Sequence, residues 1–169
     1  TANAGADQTL CANNAVATLA GSYTVATGAV WSGGAGSFSP STTNMGATYT
    51  PTAAEVGTTV TLTITTNAIG PCAAVTDQID ITVNDAPEVN AGLDKIICES
   101  DAAVMSDATS GGSTASVTWS GGAGTFSPNN TTLNASYTPA ASEIGTSVIL
   151  TITTNDPAGP CTAISDQVR

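Results

Sequence analysis

No histidine occurs among the 169 residues, and Lys95 and Arg169 are the only positively charged side chains. Ser–His and Cys–His nucleophilic chemistry needs an imidazole base, so both are excluded. Two cations cannot neutralise a phosphate backbone. With thirteen acidic residues and a net charge of -11, the chain is suited neither to nucleic acid nor to an anionic membrane. Charged residues make up 9% of the sequence, against roughly a quarter in ordinary soluble domains. Solubility therefore rests on Thr, Ser, Asn and Gly. No run of 18 apolar residues is present, so no membrane span is encoded. Nor do these residues contain a basic region followed by an apolar stretch, the mark of a signal peptide. Hydrophobic residues nevertheless reach 41% and fall in alternating runs, which disordered chains lack. The chain is expected to fold.

What is present is a repeat. NAG at Asn3–Gly5 returns at Asn90, and WSGGAGSFSP from Trp31 returns as WSGGAGTFSP from Trp119. YTP at Tyr49 recurs at Tyr137, TLTITTN at Thr61 as ILTITTN at Ile149, GPC at Gly70 and again at Gly159, and DQ at Asp77 and Asp166. The offset moves from 87 to 88 to 89 residues. Both single-residue shifts fall in loop-like stretches, where insertions are tolerated. The division expected is a first copy over residues 1–86 and a second over 87–169.

Four cysteines allow three pairings. Each copy has one early and one late cysteine, so symmetry favours Cys11–Cys72 and Cys98–Cys161. Each bridge would close about sixty residues and contribute roughly 4 kcal/mol in the chain-entropy model. Free buried thiols are the alternative. A metal site is the weaker reading, since there is neither a CxxC pair nor a histidine. Disulfides imply an oxidising compartment.

Within a copy, Thr59 to Thr65 alternates strictly, with Val60, Leu62 and Ile64 on one face and threonine on the other. That is a half-buried strand. Val148, Leu150 and Ile152 repeat it. Ile79, Ile81 and Val83 mark another strand. Shorter candidates are Gln8–Cys11, Ala15–Leu19, Ala29–Ser32, Ser37–Ser39 and Ala47–Thr50, separated by Gly and Pro turns. Thr52 and Glu55 suggest one capped helical turn. Some seven short strands per copy predict an all-β fold, two tandem immunoglobulin-like (PKD-like) β-sandwiches arranged end to end. Trp31 and Trp119 are expected in the core. NDAPEVNAG (84–92), stiffened by Pro87, reads as a short linker.

NAGADQTLC, WSGGAGSFSP, YTP, TLTITTN, GPC and NDAPEV together resemble the PKD-like or immunoglobulin-like tandem repeats of very large surface adhesins of Bacteroidota-type bacteria, the gliding-motility and type IX secretion cargo kind. The resemblance spans essentially the whole chain. WSGGAG stands where true PKD domains carry a WDFGDG-type motif, without its aspartates. What the resemblance implies is an extracellular or cell-surface spacer, stalk or adhesive fibre with no catalysis.

Candidate sites are few. Asp7, Glu55, Asp77, Asp80 and Asp85 could supply paired carboxylates for glycoside cleavage, but their loop or outward positions favour plain solvated surface. No cofactor is expected. Asn84, Asp85 and Glu88 are candidate calcium ligands, against the simpler reading of an acidic linker without a D-x-D-x-D-G loop. Lys95 could enter a Lys–Asn isopeptide crosslink, yet Gln8 stands at the matching position. One tryptophan per copy could stack a sugar, though a core role fits a repeated strand better. Thr59, Thr61, Thr63 and Thr65 could carry O-linked glycans or simply solvate a sheet face, and N-x-S/T sequons occur at Asn129, Asn130 and Asn134.

The second copy stops at Val168-Arg169, the counterpart of Ile79-Asp80, so its last strand is expected to be short. A segment of a longer array is the simplest reading. A filament whose strand comes from another chain is the second. The function expected is a structural or adhesive repeat segment of an extracellular fibre, partnered by neighbouring repeats or like chains and, at its surface, by glycans. The alternative is a carbohydrate-binding or spacer module of a secreted polysaccharide-degrading enzyme.

Overall fold

The computed structural model describes residues 1–157 and 159–169. The chain divides into two compact units, Thr1–Asp85 and Ala86–Arg169, and each has its own core. Among the described residues the regular structure is strand, with three single-turn 3-10 helices.

The first unit contains β1 (Ala2–Asn3), β2 (Gln8–Cys11), β3 (Ala17–Thr18), β4 (Ser22–Tyr23), β5 (Ala29–Ser32), β6 (Ser37–Ser39), β7 (Thr48–Thr50), β8 (Thr59–Thr66) and β9 (Thr76–Asn84). One sheet has the order β2-β9-β8-β5, a second β3-β7-β6, and β1 pairs with β4. The alternation in β8 works as its composition requires: Val60, Leu62 and Ile64 point inward, at most 6% exposed. They meet Ile79, Ile81 and Val83 of β9, while Tyr49 of β7 and Trp31 of β5 join the same cluster. The threonine face of β8 is bonded across to β9 through Thr59–Thr82, Thr61–Asp80 and Gln78–Thr63 side-chain contacts. Opposed polar pairs of this kind add to sheet stability.

The second unit contains β10 (Pro87–Asn90), β11 (Ala103–Val104), β12 (Thr109–Gly112), β13 (Val117–Ser120), β14 (Thr125–Ser127), β15 (Ser136–Thr138), β16 (Leu150–Thr154) and β17 (Ser165–Val168). The sheet orders are β13-β16-β17 and β11-β15-β14, with β10 against β12. Trp119, Tyr137 and Ile152 centre its core. Each unit is thus an immunoglobulin-like all-β sandwich.

Two expectations change. The 84–92 stretch is not a linker: Asn84 ends β9 and Pro87–Asn90 is a strand, so only Asp85 and Ala86 lie between them. Val89 packs against the second core, and that burial makes the segment part of the fold.

The cysteine pairing is also corrected. Cys11 and Cys161 are disulfide-bonded, whereas Cys72 and Cys98 are exposed free thiols. The geometry of one copy explains why Cys11 and Cys72 do not pair. Cys11 lies beside Asn84, at the end of the sheet where Thr59 meets Thr82. Cys72 sits in a turn with Ile69, beyond Thr66 at the opposite end. The eight residues of β8 span about 23 Å at the usual rise per residue. A disulfide needs Cα atoms within ~7 Å. Symmetry of sequence gave no hint of which end of the strand each cysteine occupied.

Candidate functional site

Where the repeated motifs converge is visible from β5 onward. After Trp31 the chain turns through Gly33 and Gly34, whose φ values of 98° and 66° belong to glycine. A Cβ on Gly34 or Gly36 would collide with Tyr49 or with the carbonyl of Thr50. The turn therefore closes directly over the Tyr49 ring. Its amides then point at two acceptors: Gly36 N–H donates to Tyr49 Oη at 2.9 Å and Ala35 N–H to Glu55 Oε1 at 2.8 Å. Tyr49 Oη in turn donates to Glu55 Oε1 at 2.8 Å, and Glu55 Oε2 takes the Thr52 N–H at 2.8 Å. Phe38 packs on Tyr49 with ring centres 5.0 Å apart.

The second copy builds the same knot. Gly124 N–H donates to Tyr137 Oη at 2.8 Å, Ala123 N–H to Glu143 Oε1 at 2.6 Å, and Tyr137 Oη to Glu143 Oε2 at 2.7 Å. Ala140 replaces Thr52, yet its N–H still meets Glu143 at 2.8 Å. The reach-back of the glutamate is thus the part of the cap both copies keep.

Electrostatics follow from these contacts. Burial, then the bond to Glu55, pushes the Tyr49 phenol up to about 12. Tyr137 is raised for the same reasons, burial first and then Glu143. Burial works against the Glu55 charge, but the Ala35 and Thr52 amides and the Tyr49 hydroxyl outweigh it and hold the carboxyl below its ordinary value. Glu143 is lowered by the Ala123 and Ala140 amides and the Tyr137 hydroxyl. A raised phenol beside a lowered carboxylate is a pair fixed in the states it already holds. It is poorly suited to passing protons near neutrality.

The other acidic candidates are also engaged in the fold. Asp77 accepts from the Ala4 amide at 2.8 Å, and Asp166 from Ala91 at 2.8 Å, which explains the recurrence of NAG with DQ. Asp7 accepts from Asp80 N–H at 2.9 Å, and Asp80 from the Thr61 hydroxyl at 2.7 Å. The expectation that these carboxylates are merely solvated is corrected for Glu55, half-buried and bonded to two backbone donors; Asp77 stays exposed while accepting from the Ala4 amide. Of the calcium candidates, Asn84 ends β9, Asp85 follows it, and Glu88 lies in β10 opposite Gly111. Among the described residues no three His, Cys, Asp or Glu side chains gather as a metal-ligating group.

Lys95 is paired with Asp107 at 2.6 Å, and that contact, with the Leu93 amide, holds the Asp107 carboxyl down at about 2. Of the threonines proposed for glycans, Thr59, Thr61 and Thr63 have their hydroxyls in cross-strand contacts. The sequon asparagines serve local structure: Asn129 accepts from Thr131 and Thr132, and Asn130 donates to the Trp119 carbonyl. Trp31 and Trp119 are at most 1% exposed and Tyr49 and Tyr137 are buried with them, while Tyr23, Phe38 and Phe126 are half-buried.

The Tyr–Glu knot went unread in the sequence. A signal was there: tyrosine and glutamate recur six residues apart, Tyr49 to Glu55 and Tyr137 to Glu143, downstream of paired glycines.

No family model matches the sequence, and no curated relative does. Solved structures to which the chain is similar include human CDH23, Drosophila N-cadherin and human Protocadherin-24. Human CDH23 EC21-23 is 14% identical with a TM-score of 0.46, over 96% of this chain and 59% of that one. Drosophila N-cadherin EC1-4 is 12% identical with a TM-score of 0.47, over 98% and 46%. Human Protocadherin-24 EC1-2 is 13% identical with a TM-score of 0.42, over 95% and 90%. The chain thus spans 59% and 46% of the first two.

Proposed function

We propose that this chain is a non-catalytic structural and adhesive repeat segment of an extracellular fibre of the surface-adhesin kind. Its partners are neighbouring repeats of the same polypeptide or like chains. One observation supports this reading above the others: apart from GPC, whose Cys72 is an exposed free thiol in the first copy, the motifs repeated between the copies are used up in folding contacts. WSGGAG, YTP and the following glutamate close one knot, NAG and DQ close another, and the alternating strand fills the core. These motifs serve the fold in both copies, which is what a unit repeated for its shape requires. The oxidised Cys11 and Cys161 fit an extracellular setting. The covered aromatics argue against the carbohydrate-binding alternative, which needs exposed rings to stack sugars.

The test is to tag the segment in its parent protein and delete one copy. Surface labelling of intact cells, with a fibre shortened by the deletion, is the expected result. A cytosolic tag, or turnover of any glycan by the isolated chain, would overturn the reading.

A further inference from the structure

The cysteines of each unit stand at opposite ends of its sheet. In the first unit Cys11 lies opposite Asn84, the last residue of β9. Cys72 turns back on Ile69 past the other end of β8, where Thr66 N–H donates to the Val75 carbonyl at 3.0 Å. In the second unit Cys98 follows Lys95, whose N–H donates to the Arg169 carbonyl at 2.8 Å beside the Leu150–Val168 end of the sheet. Cys161 lies at the other end, between Thr154 and Ile164, which are joined at 2.9 Å. The five residues of β16 alone hold those ends about 13 Å apart. A disulfide needs Cα atoms within ~7 Å, so neither unit can close its own pair.

By repeat position Cys11 and Cys98 are equivalent, and so are Cys72 and Cys161. The bonded cysteines, Cys11 and Cys161, are one of each kind, and both are buried, at 5% and 1% exposure. Their equivalents Cys98 and Cys72 are exposed free thiols, again one of each kind. The backbone differs in the same sense. Cys11 closes the strand β2, while residues 95–98 are not in a strand.

We propose that Cys98 of one copy of this chain pairs with Cys72 of a second copy, the combination that Cys11 and Cys161 already make. This pairing rests on the extracellular-fibre reading, because such a bond persists only in an oxidising setting; it adds the partner, a like chain, and the atoms that join it. The bond forms by exchange with a small aliphatic disulfide of the glutathione class. The Cys98 thiolate attacks that disulfide and expels one small thiolate. The Cys72 thiolate of the second copy then attacks the Cys98 sulfur and expels the other. Two protein thiols become one disulfide, one small disulfide becomes two thiols, and the two protons pass to the released thiolates. Because two different residues meet, the contact is heterologous. Each chain keeps one thiol for the next, and the assembly extends as an open row.

Two variants test this. Cys72→Ser leaves Cys98 as the exposed thiol, and Cys98→Ser leaves Cys72; both changes fall on exposed side chains outside the cores. Each variant is held unreduced in a buffer of oxidised and reduced glutathione, alone and as an equimolar mixture, and run on a non-reducing gel. The mixture is expected to give at least about tenfold more dimer than either variant alone, with peptide mass spectrometry finding Cys98 linked to Cys72. The unsubstituted chain is expected to form a ladder of multimers that a reductant collapses. As much dimer from either variant alone overturns the proposal, and so does a mixture that stays monomeric with glutathione on both thiols. An unsubstituted chain that loses both thiols yet stays monomeric overturns it too. Failure here leaves the surface labelling of the fibre test untouched, whereas a cytosolic tag defeats the fibre reading whatever these thiols do.

Discussion

Tyr49 shows how one side chain is held by several partners at once: its ring is buried under a glycine turn and its hydroxyl sits between the Gly36 amide and Glu55. Replacing it with Phe keeps the ring and leaves the amide and carboxylate without their partner, a loss of about 1–3 kcal/mol. The urea midpoint of the first unit should fall accordingly, with the slope unchanged. The phenol also sets an alkaline limit. Its value is raised from 10.0 to about 12 in the folded state, so its contribution is complete below pH 10 and disappears as pH climbs through 12. Tyr49→Phe, though less stable at neutral pH, should show a flatter decline between those values in pH-jump unfolding. At the acid end the sign reverses. Asp107 is lowered from 3.8 to about 2 by Lys95 and the Leu93 amide. Its contribution is present above the ordinary value and is lost as pH falls through 2. Asp107→Asn should blunt acid unfolding of the second unit across that range.

Among the strands, β8 was the most legible in sequence, because strict alternation of β-branched and apolar residues leaves one arrangement. Leu62→Ala empties a fully buried position and should cost about 2–5 kcal/mol. Thr65→Ala, on the opposite face of the same strand, should stay within about 0.5 kcal/mol; equilibrium denaturation of both variants checks the contrast. β2, β5, β6 and β9 were legible for the same reason. β1 and β4 were not, since two-residue strands carry no periodicity and exist only because Ala2 and Asn3 meet Tyr23 and Ser22. The 84–92 stretch misled through Pro87, which stands at the first position of β10 where a strand tolerates it. The polar knot escaped because a hydrogen bond between a turn amide and a distant carboxylate leaves no mark on local pattern.

For the molecule as a whole, the repeat announced two units, and each has its own core. They should not be equally stable. The first has a nine-residue closing strand and a parallel partner strand, while β17 has four residues. Differential scanning calorimetry should resolve two transitions, and exchange mass spectrometry should assign the lower one to residues 86–169. The cysteines give a second whole-molecule check. Alkylation of the native, unreduced protein should modify Cys72 and Cys98 and spare Cys11 and Cys161 until a reductant is added. Four thiols modified at once, or none, would contradict the oxidation pattern. Sequence symmetry could not reveal that pattern, because spacing along a chain is silent about which end of a sandwich a residue reaches.

The scarcity of cations has a practical corollary. Trypsin cuts after lysine or arginine, so Lys95–Ile96 is the sole internal bond it can hydrolyse in these 169 residues. Lys95 is tied to Asp107 there, and Ile96 is fully exposed. A single protease, yielding either one band or two on a reducing gel, therefore reports whether the Lys95–Asp107 contact shields this one bond.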